Sequence, residues 1–363
     1  MQIKSYNKNE LNEFIHSEFF RVLNKVPISF HRGWSQYNNP YCADEDIILW
    51  AAYENADLVG YVGVLPDIIN SEGVEKKIYW LSCFWVEEKF RNGQLASQLF
   101  FLLIKQYKNQ LFISNFLYSL EKTYLNLGIS QKTQYNKGRK FYINFCFADL
   151  LQARYPDLKS TMTFYKLFER SINEILKFRK FIHKKRKRKF RVIEDNKRDA
   201  EFIAFLEKFR SDQQKSVIRD INYFNWVIDF PWVLKGKTDK ESERYFFSSK
   251  SEQFEYRILK IYNHQQLEGI VLLKIRDKNL TVSHMYAKDE HIGSIAAYQY
   301  DLSLNELINT ISTIDHRLMN RLRAKRTNFI YIKNFKRPYI FPRNYDIASS
   351  VFQDRDGDAV FTW

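Results

Sequence analysis

A turn between an apolar strand and an apolar helix carries the clearest chemical signal in this sequence. Residues 87–94 (EEKFRNGQ) are mostly polar and lie between apolar runs that end at Val86 and begin at Leu95. A helix that starts after such a turn exposes backbone N–H groups without intrahelical partners, and its dipole adds positive potential at the same place. The segment therefore predicts a site for a diphosphate or another anion.

Tyr124 is the second candidate for chemistry, because a phenol held near a leaving group can donate a proton to it. The residues from Tyr118 to Leu127 predict a short helix, and Gly128 supplies the left-handed residue that commonly ends one. The pattern therefore places Tyr124 on a helix that follows one further predicted strand.

These two segments resemble two motifs of the GNAT (Gcn5-related N-acetyltransferase) family. The acyl-CoA motif of that family is (Gln/Arg)-x-x-Gly-x-(Gly/Ala), and here Arg91 takes its first position and Ala96 its last. The second motif, Tyr-x-x-x-Gly-Phe, is matched by the segment from Tyr124 to Ile129. The sequence departs from the family at Gln94, where the middle glycine is usual, and at Leu117, where the family has Asn.

The resemblance implies acyl-CoA, most simply acetyl-CoA, as the co-substrate, with no metal. Tyr124 is then the proton donor to the leaving thiolate, and the end of the preceding strand pairs with the pantetheine arm. The residues implied in acyl-CoA binding are Phe84, Trp85, Val86, Arg91, Asn92, Gly93, Gln94, Leu95, Ala96 and Ser97. For the general base the sequence leaves three options open, namely Glu87, Glu88 or proton removal through water.

The segment from Phe30 to Pro40 is the candidate acceptor site, since residues before the sheet wall that pocket in the family. His31, Arg32 and Trp34 combine an imidazole, a cation and an aromatic ring in a predicted loop. That composition suits a sugar or nucleotide acceptor, with Arg32 on a phosphate. An ordinary turn with Trp34 packed on the core is the equal alternative.

Hydrophobic periodicity predicts a mixed α/β fold, with a mostly antiparallel central sheet flanked by helices. In the first half it indicates strands at 47–53, 58–65, 78–86, 111–116 and 140–147 and a largely buried helix at 93–107. In the second half it indicates strands at 254–262, 267–275 and 280–287, then a helix from Ser303 with Glu306 in capping-box spacing.

This order of elements predicts two GNAT-like domains, the second degenerate. A chain of 363 residues exceeds the usual size of a single core. The predicted ranges are 1–155 for the acyl-CoA-binding domain, 156–195 for a basic helical connector and 196–363 for the second domain.

Charge and cysteine content indicate which partners and which compartment suit this protein. The net charge of +15 favours anionic partners, and the Lys- and Arg-rich stretch 177–191 is either a solvated face or a patch for an anionic membrane or nucleic acid. Three scattered cysteines predict neither a disulfide framework nor a metal site, which suits a cytoplasmic protein. Charged residues in the first 30 positions and the lack of long apolar runs predict neither a signal peptide nor a transmembrane segment.

The acidic stretch 354–358 predicts a hairpin turn at Asp356-Gly357 rather than a calcium loop.

The function predicted is acyl transfer from acyl-CoA to an amine acceptor. Residues 39–67 are similar to acetyltransferases of bacterial polysaccharide clusters, which implies a nucleotide-linked amino sugar for surface polysaccharide. Two alternatives stay open. One is a Fem-type transferase that takes an aminoacyl group from tRNA, because those proteins also combine tandem GNAT-like domains with a basic helical segment. The other is a non-catalytic protein that binds CoA or another anion.

Overall fold

A computed structural model describes residues 1–71, 74–91, 93–130, 132–146, 162–182, 188–211, 216–217, 219–324, 328–345, 353–354 and 356–362. Two compact units divide the chain, and each gathers segments that are discontinuous in sequence. The first unit contains Met1–Asn136, Arg198–Phe254 and Arg337–Trp363, and the second contains Lys137–Lys197 and Glu255–Lys336. The contiguous ranges predicted for two domains stay a prediction. Part of the connector predicted at 156–195 lies outside the described residues.

The strands are β1 (Gln2–Asn7), β2 (Ile47–Glu54), β3 (Asp57–Ser71), β4 (Val74–Val86), β5 (Leu111–Ser114), β6 (Gln134–Tyr142), β7 (Arg191–Glu194), β8 (Ser216–Val217), β9 (Leu234–Lys235), β10 (Lys250–Ser251), β11 (Phe254–Asn263), β12 (Gln266–Arg276), β13 (Asn279–Ala287), β14 (Thr310–Thr313) and β15 (Tyr331–Ile340). The helices are α1 (Lys8–His16), α2 (Glu18–Val22), α3 (Phe30–Tyr37), α4 (Leu95–Tyr107), α5 (Glu121–Asn126), α6 (Met162–Ile182), α7 (Ala200–Ser211), α8 (Ile221–Asp229), α9 (Lys240–Glu243), α10 (Ile292–Asn305), α11 (His316–Arg323) and α12 (Ala359–Thr362).

An antiparallel meander followed by a helix and a parallel strand forms the sheet of the first unit. Strands β1 to β4 pair antiparallel in sequence order, with Leu49 opposite Gly63 and Val64 opposite Leu81. Strand β5 then joins parallel to β4, and the end of β15 pairs antiparallel to β5. This sheet confirms the predicted mixed α/β fold with a mostly antiparallel sheet.

Helix α4 packs on this sheet along one face. Its buried side chains follow helical spacing, at Leu95, Leu99, Phe100, Leu103 and Tyr107. Phe101 on the opposite side is 66% exposed, so the helix is amphipathic and the prediction of a largely buried helix was too strong.

The second unit repeats this order of elements. Strands β11 and β12 precede β13, which pairs antiparallel with β12, and helix α10 leads to β14, which is parallel to β13. The helix predicted to begin at Ser303 is wrong, because α10 begins at Ile292 and Ser303 lies in its last turn. There the Ser303 hydroxyl donates to the Gln299 carbonyl oxygen, 2.7 Å away, so it does not cap a helix start. Whether this unit is a degenerate GNAT domain stays a prediction.

None of the helices in the described ranges combines the length and the apolar character that a membrane-spanning helix requires.

Candidate functional site

Strand β4 bends at a bulge near its end. Tyr61 of β3 lies opposite Trp85, whereas Gly63 lies opposite Ser82, so Cys83 and Phe84 together face the single residue Val62. Cys83 has φ +50°, a left-handed conformation that costs a non-glycine residue about 1–2 kcal/mol. A bulge of this kind redirects the backbone groups that follow it.

The outer edge of β4 has no partner among the described strands after Trp80, the last residue that pairs with β5. The two parallel strands pair only at Tyr79 with Leu111 and at Trp80 with Phe112. Within the described ranges, no strand pairs with the outer edge of β4 from Leu81 to Val86, although β3 pairs with its inner edge. An extended ligand can therefore add to this edge by backbone hydrogen bonds.

Helix α4 starts next to this edge without a side-chain cap. Gln94 is its N-cap residue and makes no capping hydrogen bond, and the first helical bond runs from the Gln98 N–H to the Gln94 carbonyl oxygen, 2.9 Å away. The N–H groups of Leu95, Ala96 and Ser97 consequently have no partner inside the helix. Such a helix start attracts anions.

The residues before α4 fit the same arrangement. The Arg91 guanidinium donates from Nε to the Val86 carbonyl oxygen, 3.1 Å away, and so joins the strand end to the turn. Gln94 has φ −81° and ψ −7°, a right-handed conformation open to any residue, so its replacement of the family's glycine brings no backbone strain. Asn92 lies outside the described residues.

Tyr124 lies close to the β4 bulge through two aromatic contacts. Its ring centroid is 5.5 Å from that of Phe100, and the Phe100 centroid is 5.5 Å from that of Phe84 on the bulge. Tyr124 is 5% exposed, and burial raises the pKa of its phenol to about 12. The hydroxyl is therefore protonated at neutral pH, and no described residue accepts a hydrogen bond from it.

The predicted acceptor segment forms helix α3, so the prediction of a loop there was wrong. Trp34 is 38% exposed and stacks on Tyr37 at 5.5 Å, rather than packing on the core. His31 is half-buried and its Nε2 lies 2.6 Å from the Trp232 carbonyl oxygen. Burial, as the largest cause, lowers the pKa of His31, so the imidazole is neutral at physiological pH.

Arg32 points from α3 to the β4 bulge and is 3% exposed. Its guanidinium donates to the Cys83 thiol, to the Tyr245 hydroxyl and, at 2.9 Å, to the Ser82 hydroxyl. The structure therefore brings Arg32 to the bulge, where it contacts two consecutive residues of β4. Despite the cost of burying its charge, neighbouring Cys83, Tyr245 and Asp358 keep the pKa of Arg32 raised, so the guanidinium stays charged.

Segments distant in sequence complete this polar cluster. Ser82 donates to Asp358 Oδ2 at 2.8 Å, which links the bulge to the turn before α12. Gly357 in that turn has φ +83°, which confirms a turn at Asp356-Gly357, but a helix follows it and the predicted hairpin is wrong. Sequence reasoning missed Ser82, Tyr245 and Asp358, because no spacing or motif relates them.

Glu87, one of the predicted bases, forms an ion pair with Lys25. The hydrogen bond from Lys25 lowers the pKa of this carboxyl, which makes it a weaker base. Glu88 is exposed in a 3₁₀ turn at Glu88–Phe90.

One group of described residues in the second unit has metal-binding residue types, namely Glu268, Glu290 and His291. Both ring nitrogens of His291 are already used there. Nε2 lies 2.9 Å from Glu268 Oε2, and Nδ1 accepts from the Lys288 N–H at 3.2 Å. With both nitrogens bonded, His291 has no lone pair to offer a metal.

Comparison with known proteins gives a family match and structural relatives. The model of the acetyltransferase (GNAT) family matches residues 10–125. No curated protein matches the sequence significantly. A conserved protein of unknown function from Enterococcus faecalis V583, described as a probable N-acyltransferase, is similar over 94% of this chain and 72% of its own, with TM-score 0.53 and 9% identity. That likeness shows a shared fold.

Two GCN5-related N-acetyltransferases are similar at lower scores. The one from Kribbella flavida has 10% identity and TM-score 0.45 over 93% of this chain and 70% of its own. The one from Anabaena variabilis ATCC 29413 has 8% identity and TM-score 0.45 over 93% and 72%. The family match covers strands β2 to β5, α4 and Tyr124, so the chain carries an acetyltransferase domain of the GNAT family at residues 10–125.

Proposed function

We propose that this protein is an acyl-CoA-dependent N-acyltransferase, with acetyl-CoA as donor and an amine as acceptor. The observation that carries the proposal is the outer edge of β4 from Leu81 to Val86, which is unpaired within the described residues, includes the bulge and precedes the uncapped start of α4. The free strand edge suits the amide groups of pantetheine, and the helix start suits the diphosphate. Gly93 and Gln94 lie between these two sites.

The reaction is nucleophilic substitution at the thioester carbonyl. The acceptor nitrogen bonds to the acyl carbon, the carbon–sulfur bond breaks, and the leaving thiolate takes the proton of Tyr124, which then regains a proton from water. Backbone N–H groups at Phe84 to Val86 polarise the carbonyl oxygen. The acceptor amine gives up its proton to water, because the ion pair with Lys25 weakens Glu87 as a base.

The acceptor binds on the α3 side of β4. Helix α3 supplies the neutral imidazole of His31, whose Nε2 is bonded to the Trp232 carbonyl oxygen, and the Trp34 ring, which is 38% exposed. The buried Arg32 guanidinium contributes positive potential and stabilises the bulge by its hydrogen bonds to Ser82 and Cys83. Positive potential with aromatic and imidazole groups suits an acceptor with phosphate, and we propose a nucleotide-linked amino sugar used in surface polysaccharide, modified in the cytoplasm where acyl-CoA is made.

Calorimetric titration of the full chain with acetyl-CoA tests the donor site. We expect Arg91→Ala to weaken acetyl-CoA binding by about tenfold. The substitution removes a charged donor near the diphosphate and also the hydrogen bond from Arg91 to the Val86 carbonyl oxygen. Arg21→Ala is the matched control, since Arg21 is an exposed arginine of the same unit on α2, and it should leave affinity unchanged. Equal affinities for both variants and the parent would exclude Arg91 from the site.

Two other functions make different predictions in the same experiment. A Fem-type aminoacyl-tRNA-dependent transferase would bind tRNA in a salt-sensitive manner and ignore acetyl-CoA. A non-catalytic protein would bind CoA yet release no thiol with any amine. The unstrained backbone at Gln94 supports the enzyme over a decayed site.

A further inference from the structure

An open, basic groove lies at the C-terminal end of α4. It has a volume of about 550 Å³ and lies between the beginning of β4, the last turn of α4, the following 3₁₀ turn at Lys108–Gln110 and the segment after β15. Lys76, Lys77, Lys105 and Lys108 line it together with Tyr345, and no carboxylate is among its described lining residues. Its volume falls in the range of small-molecule sites. We call it the lysine groove.

Three of these four ammonium groups carry charge that the described part of the protein does not neutralise. Lys77 is the exception, with its Nζ 2.5 Å from Asp46 Oδ2. Lys76 Nζ lies 5.5 Å from the ring centroid of Tyr345, and within the described ranges no carboxylate is in ion-pair distance of Lys76, Lys105 or Lys108. Like charges that line one groove repel one another, so an anion bound among them lowers the energy.

The position of the groove separates it from the proposed acyl-CoA site. Helix α4 has 13 residues, and a helix of that length spans about 20 Å. The carbonyl end of a helix repels anions, so the lysines alone must supply the attraction at the groove. An ammonium group is a compact, strongly hydrated charge that suits phosphate oxygens. Three unpaired ammonium groups match the charge of two phosphates better than that of one carboxylate.

We propose that the lysine groove is a second binding site, for a phosphorylated small molecule that carries at least two phosphate charges. The site is distant from the reacting thioester and takes no part in the chemistry. Because it shares no residue with the acyl-CoA site, the proposal stands independently of the transferase activity. A ligand there contacts the C-terminal end of α4 and the beginning of β4, the two elements whose other ends bound the acyl-CoA site.

Calorimetry with inorganic pyrophosphate, at low ionic strength and with the full chain, tests the proposal. The double variant Lys105→Gln, Lys108→Gln removes two exposed ammonium groups from the groove. The control Lys122→Gln, Lys132→Gln removes the same charge from exposed positions of the same unit outside the groove. We expect the dissociation constant to rise at least tenfold in the groove variant and less than twofold in the control.

Further binding measurements identify where the phosphate compound binds and whether it is soluble or part of a lipid surface. With saturating acetyl-CoA in the proposed diphosphate site, and likewise in the Arg91→Ala variant, pyrophosphate should still bind the lysine groove with the same affinity, and a nucleoside diphosphate should bind with the same sensitivity to the groove variant. Loss of pyrophosphate binding in the presence of acetyl-CoA, or equal weakening in both double variants, would overturn the proposal. Binding to phosphatidate vesicles without binding of soluble pyrophosphate would also overturn it, since the ligand would then be a lipid surface.

Discussion

At the scale of single residues, Tyr124 keeps the proton that its proposed role as donor to the thiolate needs, and its burial makes the phenol a weaker acid. Burial raises the pKa of its phenol to about 12, so the proton is present throughout the usual assay range. Phe100 lies between Tyr124 and Phe84 of the β4 bulge, with 5.5 Å between successive ring centroids. No described residue competes for the hydroxyl proton.

Tyr124→Phe should therefore lower kcat by about 10² to 10⁴ while the dissociation constant for acetyl-CoA stays the same. The ring contacts with Phe100 and Phe116 remain, so the fold should be unaffected. Thiol release with a saturating amine measures kcat. Tyr118→Phe is the control, because Tyr118 lies on the preceding 3₁₀ turn and is 57% exposed. An equal loss of kcat in the two variants would remove Tyr124 from the mechanism. In the parent protein, ionisation of Tyr124 should not lower the activity below about pH 12.

Residues close in sequence were predictable, and residues brought together by the fold were not. The turn at Arg91 and the helix that carries Tyr124 follow from local patterns, because capping, periodicity and turn chemistry act over a few residues. Tyr245 and Asp358 reach the β4 bulge from segments far along the chain. Arg32 was found by its residue type, yet its contacts with Ser82 and Cys83 depend on α3 being a helix rather than a loop.

At the scale of elements, glycine turns connect the functional strands and helices. Gly128 ends the helix of Tyr124 with φ +71°, as the sequence predicted, and Gly357 sets the turn of Asp358 with φ +83°. Strands β2, β3 and β4 were predicted because alternating β-branched and aromatic runs are local signals. The start of α10 was not, since a serine and a glutamate at capping-box spacing also occur at the end of a helix.

Alanine substitutions at Gly128 and Gly357 should distinguish two costs to the free energy of unfolding, namely backbone strain and steric crowding. At Gly128 the added Cβ would meet only Lys108 Nζ at 3.8 Å, so Gly128→Ala should cost about 1–2 kcal/mol for the left-handed conformation. At Gly357 the Cβ would lie 3.0 Å from Ser114 Oγ and 3.1 Å from the buried Trp80 ring. Gly357→Ala should cost a further 1–3 kcal/mol, roughly, from overpacking. Urea unfolding measures both values, and equal costs would show that the turn relaxes away from Trp80.

At the scale of the whole chain, one buried ionic group joins the three segments of the first unit. Arg219 donates to both oxygens of Asp67, at 2.9 and 3.0 Å, and to Asp356 Oδ1 at 2.8 Å. Asp67 belongs to the segment Met1–Asn136, Arg219 to Arg198–Phe254 and Asp356 to Arg337–Trp363. Sequence patterns could not predict this assembly, because each partner resembles an ordinary charged residue in its own segment.

Arg219→Met should consequently destabilise the first unit by about 3–5 kcal/mol, since two carboxylates would stay buried without a counter-ion. The Arg219 side chain is 2% exposed, and those of Asp67 and Asp356 are 4% and 1% exposed, so water cannot replace the lost cation. Arg198→Met is the matched control: Arg198 pairs with Asp229, which is 47% exposed, and its loss should cost about 1 kcal/mol or less. Chemical unfolding followed by tryptophan fluorescence reports both variants, because Trp80 donates to Asp67 at 2.9 Å. If the two substitutions cost the same, contacts other than the Arg219 group hold the three segments together, and apolar packing around Trp80 is the first place to look for them.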